Sequence, residues 1–297
     1  MKRKPKSRKR GYGLFSVVLI LALAGALAII VLFPKRAAEF PQESETQHST
    51  ELFTEAETEA QTEIPDETQT DATTDVPEEP IVQKRIVIDA GHQVKGNYDK
   101  EPIGPGATEL KAKVTGGTQG VTTGLPEYEL NLTVAKKLQN ILEDRGYEVF
   151  MIRTIHDVDI SNAERAQIAN DLKADAFIRI HANSSENSGI NGILTVCQTE
   201  KSPYNSQLYN DSRLLSELVL DEMVDATGAK RLYVWETDTM SGVNWCLVPV
   251  TIVEMGFMSN KDEDEKMATD AYQELLAQGI ANGIDRYFEN IEKEKEA

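Results

Sequence analysis

The chain has four histidines in 297 residues, and two of them stand at the ends of short apolar runs. Ile86-Val87-Ile88 leads through Asp89-Ala90-Gly91 to His92, and the run from Ala176 to Ile180 leads to His181. A third run, Val250 to Val253, ends at Glu254. A single buried histidine is most often a hydrogen-bonded core residue, but two at equivalent strand ends point to chemistry. A fourth group is Glu127, three residues before Leu130 and seven before Val134, a helical spacing that turns its carboxylate toward the face packed on a sheet. A buried carboxylate must be paired, hydrogen-bonded or bound to a metal. The bland alternative for Glu127 is a first-turn acid favoured by the helix dipole. Together His92, Glu127 and His181 offer two imidazoles and one carboxylate, the donor set of an open catalytic zinc site. Glu254 would be the neighbouring carboxylate that handles protons.

The elements that must position these groups are legible from Arg85 onward. Nearly continuous apolar runs at 86–88, 149–152, 176–180, 193–196 and 250–253 alternate with helical periods, which predicts one α/β domain with a mostly parallel central sheet covered on both faces. Leu130, Val134, Leu138, Ile141 and Leu142 form one helical stripe, closed by Gly146. Ser161 and Glu164 make a capping-box pattern before Ala166, Ala169 and Leu172. Leu208, Leu215, Leu218 and Val219 mark a third helix, and Tyr272, Leu276, Ile280, Ile284 and Tyr287 a terminal one. In open parallel sheets ligands bind beyond the carboxyl ends of the strands, where His92, His181 and Glu254 fall.

The formal charge of −18 is unevenly distributed. Residues 1–36 carry nine Lys/Arg and no acid, and residues 37–80 carry fourteen Asp/Glu and no base, leaving −13 for the remainder. An acidic main domain is repelled by phosphate backbones, so nucleic acid is excluded as a partner. Seven bases precede an uncharged stretch, 14–33, long enough at ~1.5 Å per residue to span the ~30 Å hydrocarbon core. The expected organisation is a cytoplasmic basic segment (1–13), a transmembrane anchor (14–33) and a disordered acidic linker (34–84). A catalytic domain (85–290) and a charged tail (291–297) follow. The bases before the apolar stretch put the N-terminus in the cytoplasm and the domain on the outer side of the membrane. A cleaved signal peptide, through the small residues Ala26 and Ala28, is the rival reading and would make the protein secreted. The linker lacks the apolar residues to build a core, and its root-mean-square span is about 36 Å.

Four ordered segments carry a resemblance: Ile86 to His92 (IVIDAGH), Glu127 to Leu132 (EYELNL), Ile180 to Asn183 (IHAN) and Val253 to Asn260 (VEMGFMSN). In combination they resemble the signatures of zinc-dependent N-acetylmuramoyl-L-alanine amidases of bacterial cell walls, over roughly Arg85 to Phe288. The resemblance implies one Zn2+ per chain on His92, Glu127 and His181, a catalytic carboxylate at Glu254, and peptidoglycan as substrate. The implied reaction cleaves the amide between N-acetylmuramic acid and L-alanine. A zinc peptidase of wall peptides, or a non-hydrolytic wall-binding regulator, are the alternatives. Nothing in the sequence points to an oligomer, so a monomer is expected.

Three departures from the family pattern mark candidate substrate contacts. Gln93 follows His92 where the family commonly has glycine. The 35 residues from His92 to Glu127 exceed the usual spacing, and 104–124 reads as an inserted loop over the cleft. Arg179 stands where a small residue usually precedes Ile-His-Ala-Asn, and by strand alternation it shares a face with His181. Its charge must pair with Glu254 or with substrate, or form a purely structural ion pair. Asn183 is a further candidate contact. Arg165 reads as a structural ion-pair partner, and Cys197 and Cys246 as buried small apolar groups.

Overall fold

The computed structural model describes residues 83–296. The expected basic segment, the anchor at 14–33, nearly all of the linker and the final residue lie outside the described residues. Among those described, no helix is long and apolar enough to cross a membrane.

The described residues form eight strands and six α-helices. The strands are β1 (Arg85–Ala90), β2 (Asn97–Pro102), β3 (Leu110–Val114), β4 (Glu148–Met151), β5 (Ala176–Asn183), β6 (Ile193–Cys197), β7 (Arg231–Glu236) and β8 (Val250–Phe257). The helices are α1 (Glu127–Asp144), α2 (Asn162–Asp171), α3 (Tyr209–Thr227), α4 (Ser241–Asn244), α5 (Lys261–Met267) and α6 (Asp270–Glu296). Six strands form one sheet in the order β4-β1-β5-β8-β6-β7, and β2 and β3 pair as a separate antiparallel hairpin. Every pair in the large sheet is parallel except β6–β8.

Two apolar layers cover the sheet. On one face Ile86, Ile88, Ile178, Ile180 and Val253 pack under α1, α3 and α6. On the other, Val87, Phe177 and Ile252 pack with Ala166 and Ala169 of α2 and Val243 of α4. Period-two alternation has a consequence on that second face. Moving toward the carboxyl ends, Val87 is followed by Asp89, Phe177 by Arg179 and His181, and Ile252 by Glu254. The apolar layer therefore gives way to four ionisable side chains. Register places them in opposed pairs, with Asp89 opposite Arg179 and His181 opposite Glu254.

The helix boundaries follow local chemistry. Ser161 caps α2, its hydroxyl accepting from Glu164 N while the Glu164 carboxylate accepts from Ser161 N, the reciprocal pattern expected from the sequence. The segment 104–124, expected as an irregular loop, contributes β3, and β2 lies just before it. The terminal helix continues to Glu296 through the segment expected as a tail. Strand β7, an edge strand with exposed Arg231, Tyr233 and Trp235, gave no apolar run to find it by.

Candidate metal centre

His92 lies just past β1, where Gly91 N still donates to Ile180 O at 2.9 Å. Its φ of +62° is a left-handed conformation that non-glycine residues seldom adopt. Buried arginines hold the carbonyls of this turn. Arg153 donates to Ala90 O at 2.7 Å and Gly91 O at 3.0 Å, and Arg165 donates to His92 O at 3.2 Å. Asn131 adds a bond to Gly91 O at 3.2 Å. The imidazole is oriented by Thr115, whose carbonyl oxygen lies 2.9 Å from Nδ1. That contact puts the proton on Nδ1 and leaves the Nε2 lone pair free.

Glu127 opens α1 and is nearly fully buried. Its Oε2 accepts from Thr118 N at 2.9 Å; its Oε1 accepts from Ala182 N at 3.1 Å and Asn131 Nδ2 at 3.3 Å. Burial alone would raise its pKa, but the adjacent His181 and His92 rings outweigh it and hold the carboxyl well below the usual range. The acid expected to face the sheet does so, ionised.

Three atoms then converge. His92 Nε2 lies 3.0 Å from Glu127 Oε1, His181 Nδ1 lies 3.3 Å from the same oxygen, and the two ring nitrogens are 3.1 Å apart. A tetrahedral ion with bonds of about 2.0–2.1 Å separates its ligands by about 3.3 Å, so the triangle has the size such an ion requires. Among the described residues these three form the one cluster of this kind. Burial lowers the His181 pKa to about 4, which keeps its ring neutral, as a ligand must be. His181 Nε2 is buried with no hydrogen-bond partner among the described residues. That nitrogen is not a corner of the triangle; what fits a cation is the convergence of two imidazole nitrogens and one carboxylate oxygen on a single point.

Gly91 is the residue this packing requires. A Cβ on Gly91 would lie 2.3 Å from the His181 ring. Gly91→Ala is expected to push His181 off the triangle and weaken divalent-metal affinity by about 10–100-fold. Competition against a graded chelator measures it, and unchanged affinity would show that the ring has room to spare.

Glu254 is not part of the triangle. Burial, and next the Glu127 charge, push its pKa well above the ordinary carboxylate value. Its Oε2 is buried and unpartnered. It faces a cavity of about 240 Å³ shared with His92, His181, Arg179, Asn162 and Gly242.

Of the alternatives open for Arg179, the structure shows an ion pair with a buried acid other than Glu254. Its Nε donates to Asp89 Oδ2 at 2.9 Å, and its Nη2 to Asn162 Oδ1 at 2.8 Å and to Asp89. The reason is register: Asp89 is the cross-strand neighbour of Arg179, whereas Glu254 faces His181. The other Asp89 oxygen takes Arg165 Nη1 at 2.6 Å, so Arg165 is the ion-pair partner its sequence position suggested. Burial would raise the Asp89 pKa, but the two guanidiniums more than offset it and hold the carboxyl well below its ordinary value.

Gln93 is fully buried and turned toward α2, accepting from Arg165 Nη2 at 2.9 Å and Ile160 N at 3.1 Å. Asn183 accepts from Ser184 N at 2.7 Å and is not among the residues lining the Glu254 cavity. Cys197 and Cys246 are buried free thiols, pushed up to about 12 by burial. Sequence reading missed Asp89, Arg153 and the two supporting threonines. The signal for Asp89 was present, since a charge inside an apolar strand demands a buried partner. Thr115 and Thr118 act through backbone atoms and left no signal. The loop beyond them is clamped by buried Asp264, which accepts from Thr122 N at 2.7 Å and Thr123 N at 2.9 Å.

The sequence profile described as N-acetylmuramoyl-L-alanine amidase (Amidase_3) matches residues 86–286. Among curated proteins, the uncharacterized protein YqiI of Bacillus subtilis is 27% identical over 211 residues, 71% of this chain and 88% of that one. The N-acetylmuramoyl-L-alanine amidase LytC of the same organism is 28% identical over 209 residues, 70% of this chain but 36% of LytC, so the match spans about a third of that relative. A solved N-acetylmuramoyl-L-alanine amidase of Clostridium difficile 630 superposes with a TM-score of 0.57 at 28% identity, covering 70% of this chain and 97% of that one. With more than half of its length matched by the profile, the chain belongs to the N-acetylmuramoyl-L-alanine amidase family.

Proposed function

We propose that this chain hydrolyses the amide between the lactyl carbonyl of N-acetylmuramic acid and the amino group of L-alanine in peptidoglycan, with one zinc ion held by His92, Glu127 and His181. The observation that carries the reading is the triangle of three ligand atoms 3.0–3.3 Å apart with Glu254 in register opposite His181. When bound, zinc supplies Lewis acidity that polarises a carbonyl and lowers the pKa of water toward ~7.

The remaining chemistry belongs to the chain's own residues. Glu254 accepts the proton of the attacking water and delivers one to the departing amine, a poor leaving group if unprotonated. Its unpartnered, buried oxygen suits this role, because no protein donor competes for the lone pair. Asn131, Ala182 N and Thr118 N hold Glu127, and the Thr115 carbonyl holds His92, so both keep their orientation through the reaction. Gln93, with its side chain committed to Arg165, shapes the site through the turn it braces. Asn183 lies at the end of the same strand as His181 and is proposed to border bound substrate.

The apolar stretch 14–33 and the bases before it support a membrane-anchored enzyme working on the wall side, with 34–84 as its tether and 85–290 as the catalytic region.

Mass spectrometry of fragments released from purified peptidoglycan tests the reaction. Free stem peptides beginning with L-alanine are expected, and none after chelation. New amino termini within the stem would replace the amidase with a zinc peptidase. No release on added zinc would favour a non-hydrolytic wall-binding protein.

A further inference from the structure

The cavity beside the ligand triangle has a charge imbalance that the cleavage step does not use. Asp89 is wholly buried, and its one carboxylate faces the buried guanidiniums of Arg165 and Arg179, with Arg153 just behind. Arg165 spends all its nitrogens on Ile160 O, Asp89, Ala90 O, His92 O and Gln93. Arg153 spends all of its own on the carbonyls of Ala90, Ile155, Gly91 and Tyr128. Arg179 is different. Its Nε and Nη2 are engaged by Asp89 and Asn162, but Nη1 makes no hydrogen bond among the described residues.

That nitrogen is also given room. It lies over Gly242, where a Cβ would come within 1.6 Å of it, so only glycine admits the guanidinium at this point of the wall. Arg179 is 3% exposed, yet it lines the cavity that also holds His92, His181 and Glu254. A buried guanidinium that keeps one nitrogen unused in the wall of that cavity is matched to a charged acceptor such as a carboxylate, held through Nη1 alone.

We infer that Arg179 receives a free carboxylate of the stem peptide while the scissile amide sits at the His92, Glu127 and His181 triangle. The inference rests on the amidase reading and adds the part of the substrate that is recognised. In the muramoyl group the lactyl carboxyl is consumed by the scissile amide, so a free carboxylate must come from the peptide side. Arg179 and His181 are two residues apart on one face of β5, about 7 Å at strand rise. Both also line one cavity of about 240 Å³, so the carboxylate must lie close to the scissile amide; the L-alanine carboxyl is bound in the next peptide bond, which leaves that of the second stem residue. Arg179 thus marks the peptide side of the cleft and makes the enzyme sensitive to amidation of the stem.

The test uses the full chain with zinc and two muramoyl peptides that differ only in whether the second stem residue carries a free carboxylate or a carboxamide. Wild type is expected to favour the carboxylate by roughly 10–100-fold in kcat/KM, mostly through KM. In Arg179→Gln the two substrates should be cleaved with equal kcat/KM, and Arg179→Lys should keep part of the preference. Equal cleavage of both substrates by wild type overturns the inference, whatever the variants do. Full discrimination retained by Arg179→Gln overturns it as well. Cleavage of neither substrate by wild type overturns the amidase reading and this inference with it.

Discussion

Glu254→Gln is expected to lower release of stem peptides from peptidoglycan by about 10²–10⁴-fold while leaving the bound metal in place. The carboxamide fills the same volume but has no basic oxygen to take a proton from water, so the acid–base step is lost. Metal content should not change, because the triangle is built from His92, Glu127 and His181 without Glu254. Stability should hold or rise slightly. The Glu254 Oε2 has no partner to lose, and burial together with the Glu127 charge disfavours its ionised form. Turnover, metal per chain and Tm measured on one preparation separate these effects. Activity within tenfold of wild type would remove Glu254 from the mechanism, and loss of the metal would make it a ligand-shell residue instead.

The largest effect on stability is expected from Asp89→Ala. Removing this carboxylate leaves Arg165 and Arg179 buried with no counter-charge, and breaking a buried pair from one side costs about 3–5 kcal/mol. For a domain of this size that is a fall in Tm of about 10 °C. The pH dependence has a definite sign. Because the folded pKa of Asp89 is depressed, its contribution is fully present above the unfolded value near ~3.9 and is lost as pH falls below it. Activity should fall too, since Arg165 also carries the carbonyl of left-handed His92. Adding Arg179→Met to the alanine variant removes one stranded charge and should recover part of the loss, a coupling that a double-mutant cycle reads. A Tm drop of a degree or two for Asp89→Ala would show that water, and not the carboxylate, solvates these guanidiniums.

The parts of the molecule legible from residues alone are those set by local chemistry. The apolar runs at 86–88, 149–152, 176–180, 193–196 and 250–253 correspond to β1, β4, β5, β6 and β8; apart from the half-buried edge strand β4 these are covered on both faces, and such a strand is apolar nearly throughout. The Ser161–Glu164 cap was readable because a helix start satisfies its own orphan N–H groups with neighbours in sequence. His92, Glu127 and His181 were readable as a candidate cluster, which the structure brings together, because two imidazoles and a buried carboxylate at strand and helix ends need partners. Strand β7 was not, since as an exposed edge it alternates Leu232 and Val234 with Arg231, Tyr233 and Trp235 and needs no apolar run.

Residue types and spacing were thus enough to propose His92, Glu127 and His181 as ligands and Glu254 as the acid–base carboxylate. They could not say which strand lies beside which. The order β4-β1-β5-β8-β6-β7, with β6 reversed against β8, arises from pairings between segments tens of residues apart, which no local pattern encodes. Those pairings decided that Arg179 meets Asp89 and not Glu254, and that His181 faces Glu254. They also left one guanidinium nitrogen of Arg179 free over Gly242, in the wall of the cavity where Glu254 waits. An isolated charge in a sequence shows only that a partner must exist; cross-strand register, a property of the assembled sheet, selects which one it is.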